Sequence, residues 1–143
     1  MTSYFFPDIN VWIALNYGQH VHHAIANRWY QALPVETRLV FCRQTQLGLF
    51  RILTTPAVMG AASLPQLACW QLYDRWRATG QLLWCEEPAL IEGPLREQTS
   101  SKFASPKAWM DAYLATFAEA AGLTFVTFDR ALAGKTKGAV LLR

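Results

Sequence analysis

Charged side chains are scarce in this sequence. Asp, Glu, Lys and Arg together make up 16% of 143 residues, where an ordinary soluble domain has about 25%. With 52% hydrophobic residues alongside, that scarcity excludes an intrinsically disordered chain and leaves enough apolar material for a sizeable core. Cysteine is also sparse: Cys42, Cys69 and Cys85 are odd in number and far apart. They form neither a disulfide framework nor a zinc-binding spacing, and are expected as small buried thiols in a reducing cytoplasm. No apolar run approaches the roughly 20 residues needed to cross a bilayer. Met1 to Phe6 carries no basic residue and no cleavage-like site, so no signal peptide is expected and the protein is read as cytoplasmic. There is no internal repeat, low-complexity tract or linker, and the length suits a single domain over residues 1–143.

The net charge of +3 is compatible with a nucleic-acid partner without pointing to one. Placement says more. From Lys102 onward, Lys102, Lys107, Arg130, Lys135, Lys137 and Arg143 stand against Asp111, Glu119 and Asp129. If the acids share a pocket, these bases must lie around it or elsewhere on the surface.

Short apolar runs alternate with segments of helical spacing. Tyr4-Phe5-Phe6 reads as a buried strand ended by Pro7, which has no amide proton to give a sheet. Asn10 is expected to cap a helix through Leu15, and a second helix spans His22 to Leu33 before Pro34. Leu39–Cys42 is a second strand, followed by a helix from about Gln44 to Leu53 that ends at Thr54-Thr55-Pro56. Ser63 and Pro65 start a helix that runs to Gly80. Leu82–Cys85 is a third strand, and Ala89 to Arg96 a short helix. Ser105-Pro106 has the form of a helix cap, and that helix carries Asp111 and ends at Gly122. Leu123–Thr127 is a fourth strand and Ala139–Leu142 a fifth. Strands apolar on both faces, alternating with helices, indicate an α/β sandwich: a central parallel sheet of about five strands with helices on both faces.

Three aspartates occupy informative positions. Asp8 follows the first strand and Asp129 the fourth, so both emerge at the carboxyl edge of the sheet, where open parallel sheets bind ligands. Asp111 shares a helix face with Leu114 and Ala118, which points it inward. Gathered carboxylates repel one another and take up protons unless a cation neutralises them. Oxygen-only ligation suits Mg²⁺ or Mn²⁺, and such an ion activates water and stabilises a phosphate, so the cluster suggests phosphodiester hydrolysis. An aspartate after a strand is also a common turn residue or helix cap, and that reading stands beside the chemical one.

Several segments resemble one family. Asp8-Ile9-Asn10-Val11-Trp12-Ile13-Ala14-Leu15 resembles the D-x-N-x-x-I-A-L motif of PIN-domain toxins of the VapC type. His20-Val21-His22-His23 with Ala24 and Trp29 is similar to their H-x-x-A-x-x-W segment, and Thr45 to Thr54 to their third helix. Asp111-Ala112-Tyr113-Leu114-Ala115 matches D-A-Y-L-A, and Thr127-Phe128-Asp129-Arg130 matches T-F-D-R. The resemblance spans nearly the whole chain. It implies a PIN-like three-layer sandwich, a Mg²⁺- or Mn²⁺-dependent endoribonuclease, a cognate VapB-like antitoxin that blocks the site, and a homodimer. It further implies that Asp8, Asp111 and Asp129 hold the metal and do the catalysis. Asn10 corresponds to a residue that supports the first acid, with Gln46 and Thr127 as further supporting positions. The family usually carries a glutamate where this chain has Gln46. Glutamine cannot balance metal charge, which puts a second ion in question and leaves Glu92 or Glu97 as substitutes that the sequence does not place.

Arg51 and Arg130 flank candidate site residues and are read either as RNA contacts or as partners of nearby acids. His20, His22 and His23 match no common zinc motif. Trp29, Trp70 and Trp76 fall on helical apolar faces, which suits core or dimer packing better than base stacking. Two other classes compete with the nuclease. One is a phosphatase with Asp8 as covalent nucleophile, which would need a second aspartate where Asn10 stands. The other is an RNA-binding PIN-like protein that does not cut, the reading that Gln46 keeps open.

Overall fold

The computed structural model describes residues 2–143; Met1, the first residue of the stretch read for a signal peptide, lies outside them. Five parallel strands form one sheet in the order β3-β2-β1-β4-β5: β1 (Tyr4–Pro7), β2 (Arg38–Phe41), β3 (Leu82–Trp84), β4 (Thr124–Thr127) and β5 (Val140–Leu141). The chain enters at the centre, steps outward through β2 to β3, then crosses back to β4 on the other side of β1. Strand order therefore reverses between β1 and β4, which opens a crevice at their carboxyl ends.

Alternation along the strands divides the core. Phe6, Val40 and Phe125 point to one face and pack with Leu114, Phe117 and Ala118 of α7 (Ala108–Ala121) and with Leu132 of α8 (Arg130–Lys135). Leu39 and Phe41 point to the other face, against Trp12 and Ile13 of α1 (Ile9–Asn16), Leu49 and Leu53 of α3 (Arg43–Leu53) and Leu72 of α5 (Gln66–Ala78). On that same face α2 (His23–Gln31) sets Trp29 edge-on to Phe5, 5.7 Å between ring centres. Helices thus cover both faces, as the apolar strands required. Among the described residues no helix is long and apolar enough to cross a membrane.

Several local expectations need correction. Strand β1 runs through Pro7. Asp8 donates its amide to Val126, so residue 7 would donate toward β2, where the pairing already ends at Phe5 opposite Leu39; the missing amide costs no bond. Helix α1 begins at Ile9 and is capped by Asp8, not Asn10. Pro56 does not simply end α3: it sits at the first position of a short helix, α4 (Pro56–Met59), which continues as a 3-10 turn over Gly60–Ala62. Ser63 bonds the Gly60 carbonyl and leaves α5 without a side-chain cap. Ser105 does not cap α7. Its backbone is left-handed, φ +39°, whereas a capping residue needs an extended backbone, and the helix starts only at Ala108. The short helix α6 (Glu92–Gln98) lies slightly later than expected. Helix α8, unforeseen in the sequence, follows Asp129 directly.

Candidate active site

Register builds the site. Pro7 lies opposite Val126, so the next pair outward is Asp8 beside Thr127. Asp8 is 7% exposed and both its carboxylate oxygens are held. Oδ1 accepts from the Ile9 amide at 2.7 Å, and Oδ2 accepts from the Thr127 hydroxyl at 3.0 Å. The Thr127 oxygen in turn accepts the Asp129 amide at 3.0 Å, which links the two aspartates through one fully buried hydroxyl. Asp129 caps α8, its Oδ1 accepting from the Leu132 amide at 2.9 Å. The cap reading and the site reading are therefore both served by the same residues. Capping occupies one oxygen of Asp129, and the other faces only the exposed Lys107 ammonium at 4.0 Å.

Asp111, in the first turn of α7, lines a cavity of about 140 Å³ with Asp129, Thr116, Glu119, Gln98 and Lys135. Burial pushes the Asp8 carboxyl up to about 6 from its ordinary 3.8. The Thr127 and Ile9 hydrogen bonds oppose that rise, and the negative charges of Asp111 and Asp129 add to it. Asp111 is raised as well, first by burial and then by Asp129, with Lys107 and Lys135 pulling the other way. Asp8 thus feels the charge of both other aspartates, and Asp111 that of Asp129, at the switch point of the sheet.

The chemistry of this donor set suits a hard divalent cation: every donor is oxygen, and Asp8 and Asp111 are both raised by a neighbouring acid. Among the described residues, however, no group of three or more His, Cys, Asp or Glu side chains forms a direct metal cage. The fit is therefore to a hydrated ion, since Mg²⁺ keeps several of its waters and needs only one or two carboxylates.

The other sequence candidates fall elsewhere. Asn10 is exposed, and the hydrogen bonds that hold Asp8 come from Ile9 and Thr127 instead. Gln46 is buried, but its Oε1 accepts from the Arg43 guanidinium at 2.6 Å, in a cleft with Trp70, Tyr73, Arg77 and Trp84. Glu92 pairs with Arg96 at 3.3 Å, and neither it nor Glu97 lines the acid cavity. Arg51 lies eight residues into α3, about 12 Å from the helix start at the carboxyl edge, beside Phe50 and Trp70. Arg130 turns toward His22, Phe128 and Arg143. His23 Nδ1 donates to the Ala14 carbonyl at 2.7 Å, His22 stacks on Phe128, and His20 Nδ1 accepts the His22 amide at 3.0 Å, so all three histidines have structural work. Sequence reasoning missed Thr116, Glu119 and Gln98 as cavity residues. The i, i+4 step from Asp111 to Ala115, and the positions beside it, would have found Thr116 and Glu119.

No protein-family model matches the sequence. Ribonuclease VapC41 of Mycobacterium tuberculosis is 36% identical over 128 residues, covering 87% of this chain and 88% of that one. The crystal structure of Mycobacterium tuberculosis VapC20, a sarcin-ricin loop cleaving toxin, superposes with a TM-score of 0.62 at 14% identity, over 92% of this chain and 94% of that one. A toxin-antitoxin complex from Klebsiella pneumoniae superposes at 0.55 and 15% identity, over 96% and 95% of the two chains. The sheet order, the aspartates at its switch point and the identity to VapC41 agree: this chain belongs to the VapC family of PIN-domain ribonuclease toxins.

Proposed function

We propose that this chain is an endoribonuclease that hydrolyses RNA phosphodiester bonds at Asp8, Asp111 and Asp129 with a bound Mg²⁺ or Mn²⁺. The observation that carries the reading is Asp8: a buried carboxylate, clasped at both oxygens and pushed to about 6 beside two further acids. Such an arrangement is costly to the fold on its own and becomes favourable only with a cation.

Asp8, Asp111 and Asp129 would hold the hydrated ion. When bound, the ion supplies a water of lowered pKa and neutralises charge on the phosphate and the leaving oxygen. The chain's own part is positional. Thr127 and the Ile9 amide keep Asp8 in one orientation, so its charge is delivered where the strands end. The α8 amide of Leu132 does the same for Asp129. Asp111, whose proton affinity is raised by burial, would accept a proton from the attacking water. Lys107 and Lys135, at the rim of the same acids, bind the non-bridging phosphate oxygens.

Control by a cognate antitoxin belongs to this reading; the Klebsiella pneumoniae relative of this fold is itself a toxin-antitoxin complex. A homodimer is part of the same proposal. The test is cleavage of total RNA by antitoxin-free protein with Mg²⁺ or Mn²⁺, beside EDTA and Asp8→Asn controls. The expected products carry 5′-phosphate and 3′-hydroxyl ends, because water attacks. Recovery of 2′,3′-cyclic phosphates would sink the mechanism, and RNA binding without cleavage at any cation concentration would favour a non-cutting protein.

A further inference from the structure

A second cleft opens on the same edge of the sheet as the acids. Arg43 follows β2 and Trp84 ends β3, so they stand one and two strands from Asp8, about 5 and 10 Å across the sheet. The cleft measures about 350 Å³ and is lined by Arg43, Gln46, Trp70, Tyr73, Arg77 and Trp84. Two features set it apart from ordinary surface. First, the Arg43 guanidinium is fixed without an acid. It lies 4.6 Å over the Trp84 ring centre and bonds Gln46 Oε1, yet neither Arg43 nor Arg77 has an ion-pair partner among the described residues. Glu86 accepts the Trp84 indole N–H through Oε1 at 2.9 Å and makes no ion pair with either arginine. Second, the Trp70 ring is 46% exposed while Phe50 and Tyr73 hold it edge-on, at 5.0 and 6.3 Å between centres.

A planar cation, held rigid and left unneutralised beside an exposed indole, suits a ligand that is both anionic and aromatic. We propose that this cleft is a single-stranded RNA subsite, in which an unpaired base stacks on Trp70 and on the guanidinium plane of Arg43 while Arg43 and Arg77 take the adjoining phosphate. Base stacking on tryptophan and arginine planes is how proteins grip unpaired nucleotides, and it is closed to a paired duplex. Gln46, only 2% exposed, serves the cleft through the guanidinium that its carbonyl holds. The acid-to-amide change at this position then has a role of its own: a glutamate would neutralise Arg43, and glutamine leaves it charged. The subsite rests on the nuclease reading for its purpose but not for its detection.

Binding of fluorescein-labelled octauridylate, and of the same strand in a duplex, is measured by anisotropy on the full chain in EDTA, where no cleavage occurs. The single strand is expected to bind more tightly than the duplex. Arg43→Ala, Arg77→Ala and Trp70→Ala should each weaken it about tenfold, and Trp70→Phe should recover most of the loss. Each arginine removed should lower the salt slope by about 0.7. Gln46→Glu should weaken binding as much as Arg43→Ala with the guanidinium still present. Arg38→Ala, on the opposite edge of the sheet, should change nothing. Thermal midpoints close to that of the parent confirm that each variant is folded, and the exposed arginines keep the test open if Trp70→Ala is not. Octauridylate affinity unchanged in the arginine and Gln46→Glu variants overturns the proposal. So does loss of binding to a labelled (Glu-Phe)₄ peptide with RNA binding intact, which would assign the cleft to a protein ligand. RNA held in the cleft but never cut would refute the nuclease alone; cutting with KM unchanged in Arg43→Ala and Arg77→Ala would refute the subsite alone.

Discussion

Removing the charge of Asp8 should stabilise the cation-free protein. Its carboxyl is raised from 3.8 to about 6 in the folded chain. Between those values the native state keeps a proton that the unfolded chain has released, so stability falls as pH rises through about 6. Above that, the buried charge costs up to about 3 kcal/mol relative to the protonated acid, at 1.36 kcal/mol for each tenfold change in proton affinity. Asparagine is neutral, nearly isosteric and a good N-cap, so it should keep α1 capped. It can offer its oxygen to Ile9 or to Thr127 but not to both, and the lost hydrogen bond returns about 1 kcal/mol of the gain. A net stabilisation of about 2 kcal/mol at pH 8 corresponds to a rise in Tm of roughly 4–8 °C for a chain of this size. At pH 4 the gain should vanish, because the native carboxyl is then protonated and the unfolded one, with its ordinary value of 3.8, has released only part of its proton, leaving a cost smaller than the lost hydrogen bond. Asp111 also contributes to the pH dependence of the parent, but it is present in both proteins, so their difference reports Asp8 together with its repulsion from Asp111. Thermal unfolding by circular dichroism in EDTA, from pH 4 to pH 8, measures this directly. Adding Mg²⁺ should then raise the parent and leave Asp8→Asn behind, since a ligand stabilises only the state that binds it. An Asp8→Asn protein no more stable than the parent at pH 8, or a gain that does not shrink toward pH 4, would refute the account of Asp8 as a buried, charge-crowded acid.

Thr127→Val removes the hydroxyl that bonds Asp8 and accepts the Asp129 amide; it should push the Asp8 carboxyl above 6 and cost about 1–3 kcal/mol, and Thr127→Ser should restore both, as read by carboxyl ¹³C chemical shifts against pH and by denaturant unfolding. Gly48 is where α3 crosses α1: an added Cβ would clash with Ile9 Cδ1 and meet Cγ1 at 3.1 Å. Alanine there gains about 1 kcal/mol of helix propensity but must displace Ile9, so Gly48→Ala should be neutral or destabilising alone and stabilising in an Ile9→Val background; additive effects in that double-mutant cycle would contradict the close approach.

The strands and the first and last acids were legible because one local event carries both. Tyr4-Phe5-Phe6 and Leu123–Thr127 are apolar runs too short for helices, and each stops at an aspartate. The parallel arrangement then puts both stops on one edge without any knowledge of distances. What joins them was not legible. Asp8 and Thr127 are 119 residues apart, and their hydrogen bond depends on β1 pairing with β4 rather than with β3 or β5. Choices between adjacent residues failed for a related reason. Asp8 and Asn10 are both good caps by type. The structure selects Asp8 because its backbone amide is spent on Val126 at the last rung of the ladder, which ends the strand one residue before the helix. At Ser105 the capping signature was sound in composition, but the left-handed backbone keeps its side chain from the first turn.

Gln46 shows the limit of reading a position by resemblance. Aligned with the family, it is a missing acid, and the natural inference is a weakened metal site. In the fold it has a partner that the alignment does not contain. Arg43, three residues earlier on α3, reaches the same carbonyl oxygen at 2.6 Å and spreads over Trp84, two strands from Asp8. An acid at this position would serve two masters, a cation at the carboxylates and a guanidinium in the next cleft, and charge given to one would be withdrawn from the other. The amide separates them. On the proposed reading, Asp8, Asp111 and Asp129 are left with a negative site that one cation would satisfy, and among the described residues no carboxylate forms an ion pair with Arg43. Opposite unsatisfied charges on neighbouring parts of one sheet edge suit a polyanion read through a cation at one point and gripped by arginine at another.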